Sequence, residues 1–194
     1  REQIIALINR EVVPAIGCTE PIAVALCVAK ATETLGCRPE KIQALLSANI
    51  LKNAMGVGIP GTGMIGLPIA IALGALIGKS EYQLEVLKDS TPEAVEEGKK
   101  LIDSQAINIA LKYGIEEKLY IEIICEAEGK KATAIISGGH TNFVYVARDG
   151  EVLVNKQTSA TDEAAADDVE LTLRKVYDFA TTSPIEELKF ILET

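Results

Sequence analysis

Apolar residues at positions 4, 5, 7, 8 and 12 recur with the period of an amphipathic helix. They predict a helix from Glu2 to Val13, stopped by Pro14. A second helix is expected from Thr19, with Thr19 as its N-cap and Pro21 in the first turn, where a missing N–H costs nothing. It runs through an alanine-rich stretch to about Leu35, and Gly36 is its C-terminal stop. Residues 41–47 fit a short strand or a helix; the strand is the preferred reading, running into the polar triad Asn49, Lys52 and Asn53. A glycine-rich turn, Gly56 to Gly63, follows, and then a buried helix from Leu67 to Ile77 with Pro68 near its start. Ser90-Thr-Pro-Glu93 has the pattern of a capping box and opens an exposed helix to about Asp103.

From Leu119 the period changes to two. Tyr120 to Ala127 alternates, Gly129 marks a turn, and 132–137 and 141–147 read as further strands. Asp149-Gly150 is a hairpin turn before Val152 to Asn155. Ala164 to Ala180 reads as a helix, acidic at its start, and Ser183-Pro-Ile-Glu186 caps a last one. The fold class is therefore α+β: helices packed around a glycine-rich loop, with an antiparallel sheet of about four strands. Residues 1–194 are expected to form a single unit, helical over 1–115, stranded over 118–157 and helical again over 163–193. The last helix has no C-terminal signal and the chain begins with Arg1, so a longer natural chain is expected, of which this is the N-terminal part.

Composition narrows the function. The formal net charge is -9 and aromatics make up 4% of the 194 residues, with no Trp. An acidic chain without stacking platforms argues against a nucleic-acid partner. Lys52 to Lys79 encloses an uncharged window long enough for a membrane span, but its glycines, Pro60 and Pro68 favour a loop followed by a core helix. No membrane partner is expected. Cys18, Cys27, Cys37 and Cys125 form no CxxC pair, and no secretory signal precedes them. Reduced thiols and a cytoplasmic location follow.

Three stretches carry polar chemistry. Cys18 lies just ahead of a helix N-terminus, where positive charge favours a thiolate. The glycine cradle with Asn49, Lys52, Asn53, Gly61, Thr62 and Gly63 suits the carboxylate of a small molecule, since such loops present N–H groups to anions. His140 in Ser137-Gly-Gly-His-Thr-Asn142 is the only imidazole and so the first candidate base, with Thr141 and Asn142 as polar handles beside it. Lys52 is the second candidate base, if burial lowers its pKa. Glu20 reads as a first-turn residue facing the helix dipole rather than as an acid. The three stretches are expected to meet in space, with Cys18, Asn53 and His140 on one face.

Together, GCTEP (17–21), NILKNAMGVGIPGTG (49–63) and SGGHTN (137–142) resemble the iron–sulfur-dependent L-serine dehydratase alpha-chain-like proteins, and among them the L-cysteine desulfidases. The resemblance implies a [4Fe-4S] lyase that takes L-cysteine, or L-serine, to pyruvate and ammonia with release of sulfide or water. It implies that Cys18 is a cluster ligand, that the remaining ligands lie outside this chain, and that this chain alone lacks the cluster and is inactive. Its partners would be a small amino-acid substrate and the missing C-terminal portion of its own chain. Two other readings stay open on the residues: a non-catalytic small-molecule-binding or regulatory domain without a metal, and a scaffold forming a homodimer through the apolar 64–78 helix.

Overall fold

The computed structural model describes residues 1–156 and 170–193. The chain divides into two compact units, one of residues 15–157 and one assembled from 1–14 and 158–194. The beginning of the helix expected from Ala164 lies outside the described residues, as does residue 157.

In the larger unit the core is built around one helix, α2 (Thr19–Leu35). Its N-cap is Cys18, one residue earlier than the sequence pattern placed it, and Gly36 closes it with φ 81, a left-handed conformation that costs glycine little. Every residue from Pro21 to Ala29 is buried, so α2 is covered all round. One side lies on a six-stranded sheet of β1 (Lys41–Leu46), β4 (Ile107–Leu111), β5 (Tyr120–Ala127), β6 (Lys130–Ser137), β7 (Phe143–Arg148) and β8 (Glu151–Asn155). Another packs on α4 (Leu67–Leu76), which in turn packs on α5 (Pro92–Asp103). Between β1 and α4 come α3 (Ala48–Ala54) and a two-stranded hairpin of β2 (Gly58–Ile59) and β3 (Met64–Ile65).

Strand order in the sheet is β4-β1-β5-β6-β7-β8. The meander β5 to β8 is antiparallel, with left-handed residues at Glu128-Gly129 and Asp149-Gly150 making the tight turns that favour hairpins. β1 pairs antiparallel with β5 and parallel with β4. Alternation then selects the core face. Ile42, Ala44 and Leu46 of β1, Ile121, Ile123 and Cys125 of β5, and Ala132, Ala134 and Ile136 of β6 are all buried.

The antiparallel α+β class is thus present, in a coarser form than expected. The sheet has six strands and not about four, because β1, where a strand was expected over 41–47, joins the meander, and β4, in the stretch 1–115 read as helical, pairs parallel with β1. Within the larger unit α2 lies on the sheet, α4 on α2 and α5 on α4, and the glycine-rich stretch is itself the β2–β3 hairpin. That hairpin and the ten-residue α4 divide the uncharged window between Lys52 and Lys79. Among the described residues no helix is long and apolar enough to cross a membrane.

Thr91 caps α5: its hydroxyl accepts from the Ala94 N–H at 3.2 Å. Thr91→Ala is expected to cost about 1 kcal/mol in urea unfolding.

The described residues of the smaller unit are mostly helical. It holds α1 (Glu2–Glu11), α6 (Leu173–Thr182) and a 3-10 segment, Ile185–Glu193. Arg1 ties these pieces together, pairing with Glu187 at 3.0 Å and donating to the Thr182 carbonyl at 3.4 Å. Thr172 caps α6 by accepting from the Lys175 N–H.

Candidate functional site

The turn before α2 brings the first of the polar stretches against the second. Gly17 has φ 81, and a Cβ built on it would lie 2.8 Å from Pro60 Cγ in the β2–β3 turn. Only glycine lets the two loops approach this closely. In the first turn of α2 sits Glu20, half-buried. Its Oε2 accepts from the Cys18 thiol at 3.0 Å and from the Thr19 hydroxyl at 3.3 Å. Its Oε1 accepts from the Asn53 amide of α3 at 3.3 Å. His140, in the turn between β6 and β7, is close enough to act electrostatically on the same carboxylate. The structure therefore brings Cys18 and Asn53 together on Glu20, with His140 acting on the same carboxylate only through space.

The charges at the site follow from these contacts. The Cys18 thiol, as hydrogen-bond donor, holds the Glu20 carboxyl below its ordinary value, with further lowering by Asn53 and His140. Burial, followed by the Glu20 hydrogen bond and charge, pushes the Cys18 thiol up. The resting pair is thus carboxylate and neutral thiol. This corrects the expectation of a Cys18 thiolate: the helix N-terminus favours the anion, but a carboxylate two residues on opposes it. The neutral thiol is a poor nucleophile.

Other candidates are spent elsewhere. Thr62 donates to the Ile59 carbonyl at 2.7 Å and accepts from the Met64 N–H at 2.9 Å, so its hydroxyl closes the hairpin turn. Gly61 and Gly63 supply left-handed backbone for that turn, with φ 77 and 65. The Asn142 side chain donates to the Ser137 carbonyl at 2.9 Å, and Thr141 is exposed in the same turn. Asn49 and Lys52 lie on α3 and are exposed, so the burial proposed to tune a Lys52 base is missing. Glu20 is the residue sequence reasoning passed over. Its signal was present in GCTEP, where a thiol and a carboxylate two apart straddle a helix start.

The described residues do not by themselves assemble a metal site around Cys18. Cys27 and Cys125 are buried in the core. Among the described residues no group of three or more His, Cys, Asp or Glu side chains could hold a metal ion.

The comparisons with known proteins point away from the lyases as well. Over all 194 residues the chain is 82% identical to a UPF0597 protein of Phocaeicola vulgatus and 70% identical to one of Bacteroides thetaiotaomicron. It is 43% identical over 192 residues to a UPF0597 protein of Aeromonas hydrophila. The chain spans about half the length of the curated relatives it matches: 45%, 45% and 43% of these three. No family model and no solved structure matches. These relatives carry a name that states no reaction, and none is called a serine dehydratase or a cysteine desulfidase. The family assignment drawn from three short motifs is overturned, and with it the iron–sulfur lyase function.

Proposed function

We propose that the cluster of Cys18, Glu20, Asn53 and His140 binds a small polar molecule that presents a cation or a hydrogen-bond donor to Glu20. One observation carries this reading. Two donors from separate segments, the Cys18 thiol and the Asn53 amide, converge on one half-buried carboxylate that is held ionised. A fixed anion with protonated neighbours is complementary to a donor and repels a second carboxylate. The earlier carboxylate anchor is thereby reversed in sign: the charge the site offers is negative. The Gly17–Pro60 approach supports the reading, since it locks the Cys18 loop against the β2–β3 turn and holds the cluster in place before a ligand arrives.

Binding without covalent chemistry on sulfur is the function this geometry supports best. The Cys18 proton stays on sulfur, so the thiol serves as donor and gauge of the Glu20 charge. Glu20→Gln tests the arrangement. Removing the charge that raises the thiol pKa should make Cys18 more acidic, and alkylation by iodoacetamide at pH 7.5 should quicken by about three- to tenfold, in step with the thiolate fraction. The measurement uses a Cys37→Ser background, because Cys37 is half-buried while Cys27 and Cys125 are buried. An unchanged or slower rate would mean that Glu20 does not govern Cys18.

A further inference from the structure

The helix α6 is amphipathic, yet none of its residues is buried. Leu173, Val176 and Tyr177 stand at i, i+3 and i+4, the spacing of one helical stripe, and are 89%, 46% and 68% exposed. Ile185, just past the helix, is 69% exposed. In the larger unit, by contrast, Ile22, Val24, Leu26 and Val28 of α2 and Leu67, Ile69, Ile71 and Leu73 of α4 are fully buried. A helix gains most of its stability by packing an apolar face, and a contiguous exposed patch of this kind marks an interaction surface.

We propose that the Leu173–Val176–Tyr177 stripe of α6 docks the further polypeptide that the longer relatives carry outside the matched residues. The chain accounts for 45% of relatives to which it is 82% and 70% identical, so more than half of each relative lies elsewhere in the same molecule. Area favours this occupant over a second copy. A stable interface between separate molecules buries about 800 Å² on each partner. Three side chains of one ten-residue helix supply only a fraction of that. A segment of the same chain faces an effective concentration on the order of millimolar, and a small apolar seat then suffices. The rim of the stripe is charged, with Arg174, Lys175 and Asp178, as expected of a surface covered along one line only.

Hydrogen exchange tests the proposal on two proteins, this 194-residue chain and the full-length Phocaeicola vulgatus relative. Amides of 173–182 should exchange at least about tenfold more slowly in the full-length relative, while those of α2 stay protected in both. Glu introduced at the positions matching Leu173 and Tyr177 of the full-length relative should remove that added protection and leave α2 unchanged. Equal exchange of α6 in the two proteins would overturn the proposal. So would a dimer of the 194-residue chain that Leu173→Glu with Tyr177→Glu dissolves, since the stripe would then seat a second copy.

Discussion

Gly74→Val is expected to destabilise the protein by at least about 3 kcal/mol, seen as a lower urea midpoint. The cause is backbone contact between α2 and α4. A Cβ on Gly74 would lie 2.6 Å from the Ala25 carbonyl oxygen and 3.1 Å from Ala25 Cα. Both atoms are backbone of the buried Pro21–Ala29 stretch of α2, so no flexible side chain can yield, and the helices must separate. Helix propensity predicts the opposite sign, because replacing glycine within a helix ordinarily stabilises it by up to about 1 kcal/mol. The sign therefore separates close approach from propensity. Gly56→Ala is the control: nothing lies within 4 Å of a Cβ there, and the effect should be under about 0.5 kcal/mol. A Gly74→Val protein as stable as the parent would show that α2 and α4 do not touch at this point.

Alkaline pH is expected to weaken the fold more than it weakens proteins without buried thiols. Cys27 in α2 and Cys125 in β5 are fully buried. Burial pushes the Cys125 thiol up to about 12, and burial likewise raises Cys27 well above its ordinary value. Cys27 keeps its proton pointed at the Ala134 carbonyl, 3.3 Å away. In the unfolded chain both thiols ionise from roughly pH 8.5. Their folded pKa values are raised, so the stability tied to them is fully present below that pH and is lost as pH rises toward the folded values. Cys125 should contribute a loss of about 1.4 kcal/mol per pH unit between about 9 and 12, and Cys27 a loss of the same sign. Urea unfolding at pH 7, 9, 10 and 11 in reductant measures the slope. Cys125→Ala should flatten it by about one thiol's share. An identical slope in that variant would show that Cys125 ionises as freely folded as unfolded.

The parts of this fold legible in the sequence are those decided locally. Gly36 ends α2 because only the residue itself need turn left-handed, and the meander turns at Gly129 and Asp149-Gly150 follow from the same preference. β4 was missed because its only pairing in the sheet is with β1, more than sixty residues earlier, and five residues with weak alternation carry no signal of a partner so distant. The separation of the helical unit was likewise hidden, since α1 and α6 come from opposite ends of the chain.

At the site, the sequence brought out Cys18, Asn53 and His140 as residues that ought to meet, and Cys18 and Asn53 both donate to one carboxylate, Glu20. Their chemistry was misread. A helix N-terminus argues for a thiolate only while no acceptor of the S–H lies nearby, and Glu20 is such an acceptor at 3.0 Å. Thr62 and Asn142 looked like ligand handles because a hydroxyl or amide in a glycine-rich turn serves the turn or a ligand equally well on paper. Here both serve the turn.

The central claim is that Cys18, Glu20, Asn53 and His140 form one site that accepts a cation or donor. Nuclear magnetic resonance on labelled protein tests it most directly, with propylammonium and propionate as matched probes of opposite charge. The lone histidine gives His140 a ring signal without overlap. Propylammonium should shift the Asn53 side-chain amide, the His140 ring and the backbone amides of 17–20 together and saturably, and propionate should leave them in place. Shifts in Glu20→Gln should fall by at least about tenfold in apparent affinity. Signals from the three segments that move independently, or that respond to propionate and not to propylammonium, would contradict a single anionic site.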